Sequence, residues 1–282
     1  MKISACLVVR NEEKLIEGCL ESIKYSVNEI LLAHDGPCAD RTIEIARRYT
    51  KKIYVLPSVG NGNLLDPYLL KKAKGEWILK IDADERLSKG LQKKLCKLAE
   101  DGRVDAYSFS WPLFDEKGRQ IEDKIGKTKT VFFRRSKMYR IGLPHIAAGT
   151  YGVTKKSPLV LEHHLKSRED KTNRFFVDVR KNTKRAKIMA RKLTGPLTRI
   201  LTYNCAMFDT SLKPVRKLMF ERKFPFIAIF ILPPYSFFQR YVLKGYFKAG
   251  YEGFQSSVNL PIFHFLTCFY IMKYAVTRKW KQ

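Results

Sequence analysis

Apolar runs and amphipathic stretches alternate along the first ninety residues. ISACLVV, near the start, is a short apolar run with β-branched residues and reads as a buried strand. NEEKLIEGCLESIKYS follows and sets Leu15, Ile16, Cys19, Leu20 and Ile23 on one helical face. EILLAHDG predicts a second strand, DRTIEIARRYT a second helix with Asp40 as its N-cap, and KKIYVLP a third strand. LDPYLLKKAKG reads as a helix ending at Gly75, and EWILKID as a fourth strand. Strands that alternate with helices of about ten to fifteen residues imply parallel pairing with right-handed crossovers, hence an open α/β sheet. VDAYSFSWPLF and TKTVFFRR add strands of mixed direction, joined by the polar turn DEKGRQ.

From about residue 171 the pattern changes. KTNRFFVDVRKNTKRAKIMARKL is a basic helix, and apolar segments punctuated by Pro, Lys and Arg follow it. FPFIAIFILPPY is too short to span a hydrocarbon core of roughly 30 Å, which takes about 20 residues. VNLPIFHFLTCFYIMKYAV is longer but contains His264 and Lys273. Both segments are read as packing or lying in a lipid interface, with flanking Lys and Arg on lipid phosphates. The alternatives are a bilayer span by the second segment and a hydrophobic helical subdomain closing over the sheet. The expected division is a domain over residues 1–170, in halves of about 1–90 and 91–170, and a basic aromatic helical region over 171–282.

Charge sharpens that division. The chain has 282 residues, 45% of them hydrophobic, and a net charge of +27. Residues 1–170 carry +9 of this and residues 171–282 carry +18. An anionic partner is therefore expected to meet the C-terminal part, and nucleic acid and anionic lipid both qualify. The six cysteines (Cys6, Cys19, Cys38, Cys96, Cys205, Cys268) are scattered without a CxxC pair. That spacing disfavours a disulfide frame or a zinc site and suits a reducing cytoplasm. MKISACLVV lacks a signal-peptide cleavage region and reads as the first strand.

Three polar clusters follow predicted strands: RNEE after the first, HDGPCAD after the second and DADE after the fourth. In open parallel sheets, ligands bind beyond the carboxyl ends of the strands. Asp82 and Asp84 offer hard oxygens suited to Mg²⁺ or Mn²⁺, an ion that completes its shell with phosphate oxygens and water. On a diphosphate leaving group such a cation acts as a Lewis acid. Asp35 either accepts the N–H of a nucleobase edge or caps the next helix. Asn11 and Glu12 either hold ribose or backbone groups or cap the first helix.

ISACLVVRNEEKLIEGCLESI, HDGPCADRTIEIARRY and GEWILKIDADERLS together resemble the family 2 glycosyltransferases of GT-A fold, especially members that modify lipid-linked or cell-surface glycans. The resemblance covers roughly residues 3–90 with specific motifs and weakens through 91–175. It implies an open mixed sheet flanked by helices, a nucleotide-sugar half over about 1–90 and an acceptor half over about 91–170. It implies nucleobase binding by Asp35 and a divalent cation on Asp82 and Asp84, above the diphosphate of a UDP- or GDP-sugar. In LEHHLKSREDKTNRF it implies a metal- or diphosphate-binding His, for which His164 is preferred over His163, followed by a stretch with Lys171 and Arg174, of which Arg174 is expected to bind the nucleotide sugar.

The sequence departs from the family where an acid is expected to deprotonate the acceptor hydroxyl. In LPHIAAGTYG that place holds Ile146, so either His145 is the base, or Asp115 or Glu116 is, or the activity is lost. The expected enzyme is an inverting, metal-dependent transferase acting on a glycan or lipid-linked acceptor. It would be cytoplasmic and peripheral on the inner face of an anionic membrane, with no nucleic-acid partner. The competing readings are a nucleic-acid-binding protein, prompted by the tract KNTKRAKIMARK, and a catalytically silent membrane-associated member of the family.

Overall fold

Strand β1, Ile3–Val9, has six of its seven residues buried, as a parallel strand covered on both faces requires. The computed structural model describes residues 1–115, 118–121, 126–164, 174–207 and 209–279, without the side chains of 174–177 and 278–279. The chain divides into two units: Met1–Gly142 with Ile146–Arg168 and Leu201–Cys205, and Leu143–His145 with Glu169–Ile200 and Ala206–Gln282.

In the first unit β1 leads into helix α1, Glu13–Ile23, whose buried face is formed by Leu15, Ile16, Cys19, Leu20 and Ile23, together with Ser22. Then come β2 (Glu29–Asp35), α2 (Thr42–Arg47), β3 (Ile53–Leu56), α3 (Asp66–Lys72) and β4 (Trp77–Lys80). They are followed by β5 (Glu85–Leu87) and α4 (Lys89–Ala99), which Ser88 caps by accepting the Leu91 N–H. Strands β6 (Ala106–Ser110), β7 (Leu113–Phe114), β8 (Thr128–Arg134), β9 (Met138–Ile141), β10 (Gly149–Thr150), β11 (Thr154–His164) and β12 (Thr202–Tyr203) complete the unit.

The large sheet runs β3-β2-β1-β4-β8-β6-β11-β5, with β7 on β11. Its first four strands are parallel, β8 is antiparallel to both β4 and β6, and β11 is parallel to β6. A small antiparallel sheet is ordered β10-β9-β12. This is the open mixed sheet flanked by helices that the family resemblance implies. Trp77 anchors one face, stacked on Phe132 with ring centroids 4.6 Å apart and beside Tyr107 at 6.0 Å. Cys6, Leu31, Ile78, Phe133 and Met138 fill the other.

Two local expectations change. Helix α3 stops at Lys72 because Ala73 is already extended, so Gly75 is not its C-cap. Gly75 is needed instead for close approach: a Cβ there would lie 2.6 Å from the Ser4 nitrogen. Asp40 sits one residue before the N-cap of α2, which is Arg41. Its carboxylate accepts the Thr42 N–H (2.9 Å) and the Glu13 N–H (3.1 Å), tying the starts of α1 and α2 together. Desolvation would raise its pKa, but these bonds and one from the Thr42 hydroxyl lower it to about 2.

The second unit is helical: α5 (Arg174–Thr194), α6 (Lys213–Lys223), α7 (Pro225–Phe238), a π-helical turn (Gln239–Leu243) and α8 (Gly250–Lys279). Ala228 and Leu232 of α7 pack with Cys268 of α8.

Asp66, the first residue of α3, is buried and receives Arg140 through Nε at 2.9 Å and Nη2 at 2.7 Å. Asp66→Ala would strand a buried guanidinium. It is expected to cost about 3–5 kcal/mol in urea unfolding, whereas breaking an exposed pair such as Arg41–Glu44 should leave the urea midpoint almost unchanged.

Candidate functional site

Because β1, β2 and β4 are parallel, their carboxyl ends deliver Asn11, Asp35 and Asp82 to one edge of the sheet. His34 fixes the loops there. Its buried ring donates from Nδ1 to the Gly36 carbonyl (2.7 Å), leaving Nε2 to accept the Asn11 N–H (3.3 Å). Asn11 has a left-handed φ of +52° and its side-chain oxygen accepts the Ala39 N–H at 3.0 Å, so it braces the loop. Glu12 is the N-cap of α1 through its backbone: its carbonyl accepts the Leu15 and Ile16 N–H groups, and its own N–H bonds to the Thr42 hydroxyl. Asp35 is 2% exposed and does not cap α2; it accepts the Val59 N–H at 2.7 Å.

The DADE stretch is a tight turn between β4 and β5. The Glu85 N–H bonds to the Asp82 carbonyl, and the Asp82 N–H bonds back to the Glu85 carboxylate, each at 3.0 Å. Two ammonium groups converge on Asp82: Lys80 on Oδ1 at 2.9 Å and Lys129 on Oδ2 at 2.6 Å. Desolvation opposes ionisation, but Lys129 and Lys80 outweigh it and hold the Asp82 carboxyl far below the usual carboxylate range. Lys129 also meets the fully buried Glu85 at 2.6 Å. Burial, and then the Asp82 charge, push the Glu85 pKa above its ordinary value.

Asp84 turns the other way. Its Oδ2 lies 3.3 Å from Nε2 of His163, and its carbonyl accepts the His164 N–H at 2.7 Å. Side chains alternate along β11, and this register puts His163, not the preferred His164, at the turn. His164 instead bonds Glu162 at 2.9 Å and stacks on Phe114. Glu162 lines a shallow cavity of about 360 Å³ beside Gly18, Arg86 and Gln92, which holds neither Asp35 nor the DxD pair.

Trp111 holds His163 in place. The two rings are nearly parallel, 7° apart with centroids 4.3 Å apart, the indole N–H donates to Glu85 at 2.7 Å, and Lys129 lies over the indole at 5.3 Å. Sequence reasoning missed Lys80, Lys129, Glu85 and Trp111. Only Lys80 left a local signal, as a cation ending the apolar run WIL.

Among the described residues no three His, Cys, Asp or Glu side chains are grouped to hold a metal by themselves. A cation that takes most of its shell from phosphate and water needs fewer. Asp84 and His163 fit that lesser demand, since Nε2 of His163 faces the Asp84 carboxylate. Asp82, expected as a ligand, does not fit it, because both of its oxygens are held by lysines.

His145 belongs to the second unit and adopts a left-handed φ of +58°. Its Nε2 lies 3.0 Å from the Asn182 side-chain oxygen and 3.5 Å from Arg185, with Phe263 against the ring. Desolvation, then the Arg185 charge, lower its pKa to about 4. Asp115 sits in the first unit, paired with Arg119. Glu116, Lys171 and the side chain of Arg174 lie outside the described residues.

Residues 4–159 match the model of glycosyl transferase family 2. An uncharacterized glycosyltransferase of Rickettsia bellii is 34% identical over 112 residues, which are 38% of this chain and 35% of the relative. The match thus spans about a third of the length of that curated relative. Among solved structures, the mannosyltransferase PcManGT from Pyrobaculum calidifontis, in complex with GDP-Man and Mn²⁺, is 14% identical, with 96% of this chain and 87% of that one covered and a TM-score of 0.48. S. aureus TarS 1-349, in complex with UDP-GlcNAc, is also 14% identical, with 98% and 92% covered and a TM-score of 0.45.

The charge arrangement makes a pH-dependent prediction. The folded pKa of Glu85 lies above its unfolded value, so the stability it contributes is full at low pH and is lost as pH rises through the folded pKa. Lys129→Met removes the cation that opposes this shift. The variant is expected to lose about 3–5 kcal/mol near pH 8 and visibly less near pH 4.5, read from urea melts at the two pH values.

Proposed function

The chain belongs to glycosyl transferase family 2, and from that membership we propose that it moves a sugar from a UDP- or GDP-sugar to a hydroxyl of a glycan or lipid-linked acceptor. The observation that carries this reading is the Asp82–Glu85 turn, with Asp84 and His163 side by side at the sheet edge that also bears Asp35. Asp35 takes the N–H edge of the nucleobase. Asp84 and His163 are the residues that would hold Mn²⁺ or Mg²⁺. When bound, the cation supplies Lewis-acid stabilisation of the departing diphosphate.

Lys129 keeps a fixed positive charge at the same turn and opposes the negative charge that develops as the donor bond breaks. Asp82 holds that ammonium in place, while Asn11 and Glu12 shape the loop beside the nucleotide. Arg174, at the start of α5, is assigned to the donor phosphates. Transfer is one inverting displacement: the acceptor oxygen bonds to the anomeric carbon as the bond to diphosphate breaks, and the electron pair leaves with the nucleoside diphosphate.

The acceptor proton goes to His145. Its left-handed backbone is a sparsely populated conformation of the kind that collects at functional sites, and a pKa near 4 keeps the ring unprotonated at pH 7 while making it a weaker base than a free imidazole. The basic, aromatic second unit supports an acceptor met at an anionic membrane surface, with the enzyme peripheral on its cytoplasmic face.

A thermal-shift panel of UDP, GDP, CDP and dTDP, each with and without Mn²⁺, tests the donor site. One of them should stabilise the protein by about 2–3 kcal/mol near 100-fold excess over its Kd, with a part that requires Mn²⁺. Asp84→Ala should abolish that part and leave the ligand-free melting temperature within about 2 °C. A panel without any shift overturns the reading. Once an acceptor is found, the acid limb of the rate profile should fall near pH 4 and not near 6.5, because the base must be unprotonated to act. A limb near 6.5 removes His145 from the role.

A further inference from the structure

Helix α7 is apolar all round. One face, with Ala228, Leu232 and Ser236, is buried, and Ala228 and Leu232 pack with Cys268 of α8. The rest of its circumference is exposed: Phe226 and Phe230 are each 68% accessible, and Ile227, Ile231, Tyr235 and Phe238 are each accessible to about half. A water-exposed aromatic and aliphatic surface of this kind marks an interaction site.

Charge identifies the partner. Arg222 and Lys223 precede α7, and Lys244 and Lys248 follow its last turn, all four exposed. No Asp or Glu occurs between Glu221 and Glu252. An apolar face bracketed by cations fits acyl chains bordered by anionic headgroups.

Length and composition alone would let both Pro225–Leu243 and Tyr246–Thr277 cross a membrane. Packing argues otherwise. Helix α8 lies along α5: Asn182 donates to the Asn259 carbonyl at 3.1 Å, Lys187 sits over Tyr270 at 5.3 Å and Arg191 over Tyr274 at 5.6 Å. Helix α7 runs back along α8, from the Ala228–Cys268 contact to Phe237 and Tyr241 against Phe254. The three helices therefore lie side by side. Carrying α8 through the bilayer would draw in the exposed Arg180, Lys184, Lys187 and Arg191 of α5, and each cation near the bilayer centre opposes insertion.

We propose that α7 is an in-plane membrane anchor: it lies in the headgroup region of an anionic bilayer with Phe226, Ile227, Phe230 and Ile231 inserted, and neither α7 nor α8 crosses. The anchor deepens the membrane partner proposed above and does not depend on sugar transfer.

The test uses the full chain with phosphatidylcholine vesicles, with and without phosphatidylglycerol. Wild type should float with the anionic vesicles, and Phe226→Glu/Phe230→Glu should lower partitioning by about tenfold or more. Tyr25→Glu, at an exposed site in the first unit, should not. In intact vesicles, Lys248→Cys should react from outside with an impermeant maleimide, above the background of the parent protein. Flotation of the double variant like wild type, or a protected Lys248→Cys, overturns the anchor. Failure of wild type to float overturns the membrane partner as well. A dimer that the double variant dissolves, without flotation of wild type, assigns the face to a second copy of the chain.

Discussion

Two lysine ammoniums on one aspartate set the geometry of the sheet edge at the Asp82–Glu85 turn. Lys80 and Lys129 occupy the two oxygens of Asp82, and each reaches a second, buried carboxylate: Asp66 at 3.5 Å for Lys80 and Glu85 at 2.6 Å for Lys129. With Arg140 on Asp66, the side chains form a file of alternating sign: Arg140, Asp66, Lys80, Asp82, Lys129, Glu85. Desolvation of these ions is costly, and it is offset by the neighbouring charges and, at Glu85, by the N–H groups of Trp111 and Asp82. The arrangement therefore rigidifies β4, β8 and β9 relative to α3 and fixes the turn whose next carboxylate, Asp84, is left to face His163. In the first aspartate of the pair the charge is neutralised from within the protein. In the second it faces the His163 ring.

The fold was legible wherever the apolar period ran long enough. Strands β1, β2, β3 and β4 and helices α1 and α3 follow from runs of Ile, Leu and Val and from the face of Leu15, Ile16, Leu20 and Ile23. Strands β5, β7, β10 and β12 have two or three residues, too few to carry a period. Strand β11 begins TKKSP, so its polar first half hid an eleven-residue strand. Asp35, Asp82 and Asp84 were legible because they stand at or just beyond the end of a buried strand; Glu85, which opens β5, was not. Their partners were not: Lys129 lies 47 residues from Asp82, and Trp111 lies 26 from Glu85. The choice between His163 and His164 needed the register of β11 on β5, where His163 pairs with Glu85. Adjacent residues on a strand differ only in face, and no local feature reveals which face meets the cleft.

The second unit obeys a different economy of contacts. Among its described residues one buried polar cluster is local: Lys217 lies 2.6 Å from Nε2 of His264, and Glu221 lies 2.8 Å from its Nδ1. These three join α6 to α8 at the very segment whose apolar sequence suggested a span.

The most direct test of the donor-edge account is an anomalous difference map at the manganese edge from crystals grown with UDP or GDP and Mn²⁺. The account predicts one peak coordinated by the Asp84 carboxylate and the His163 ring, with Lys80 and Lys129 still on Asp82. A peak coordinated by Asp82 with the lysines displaced, or no peak at the turn when nucleotide is bound, would contradict it.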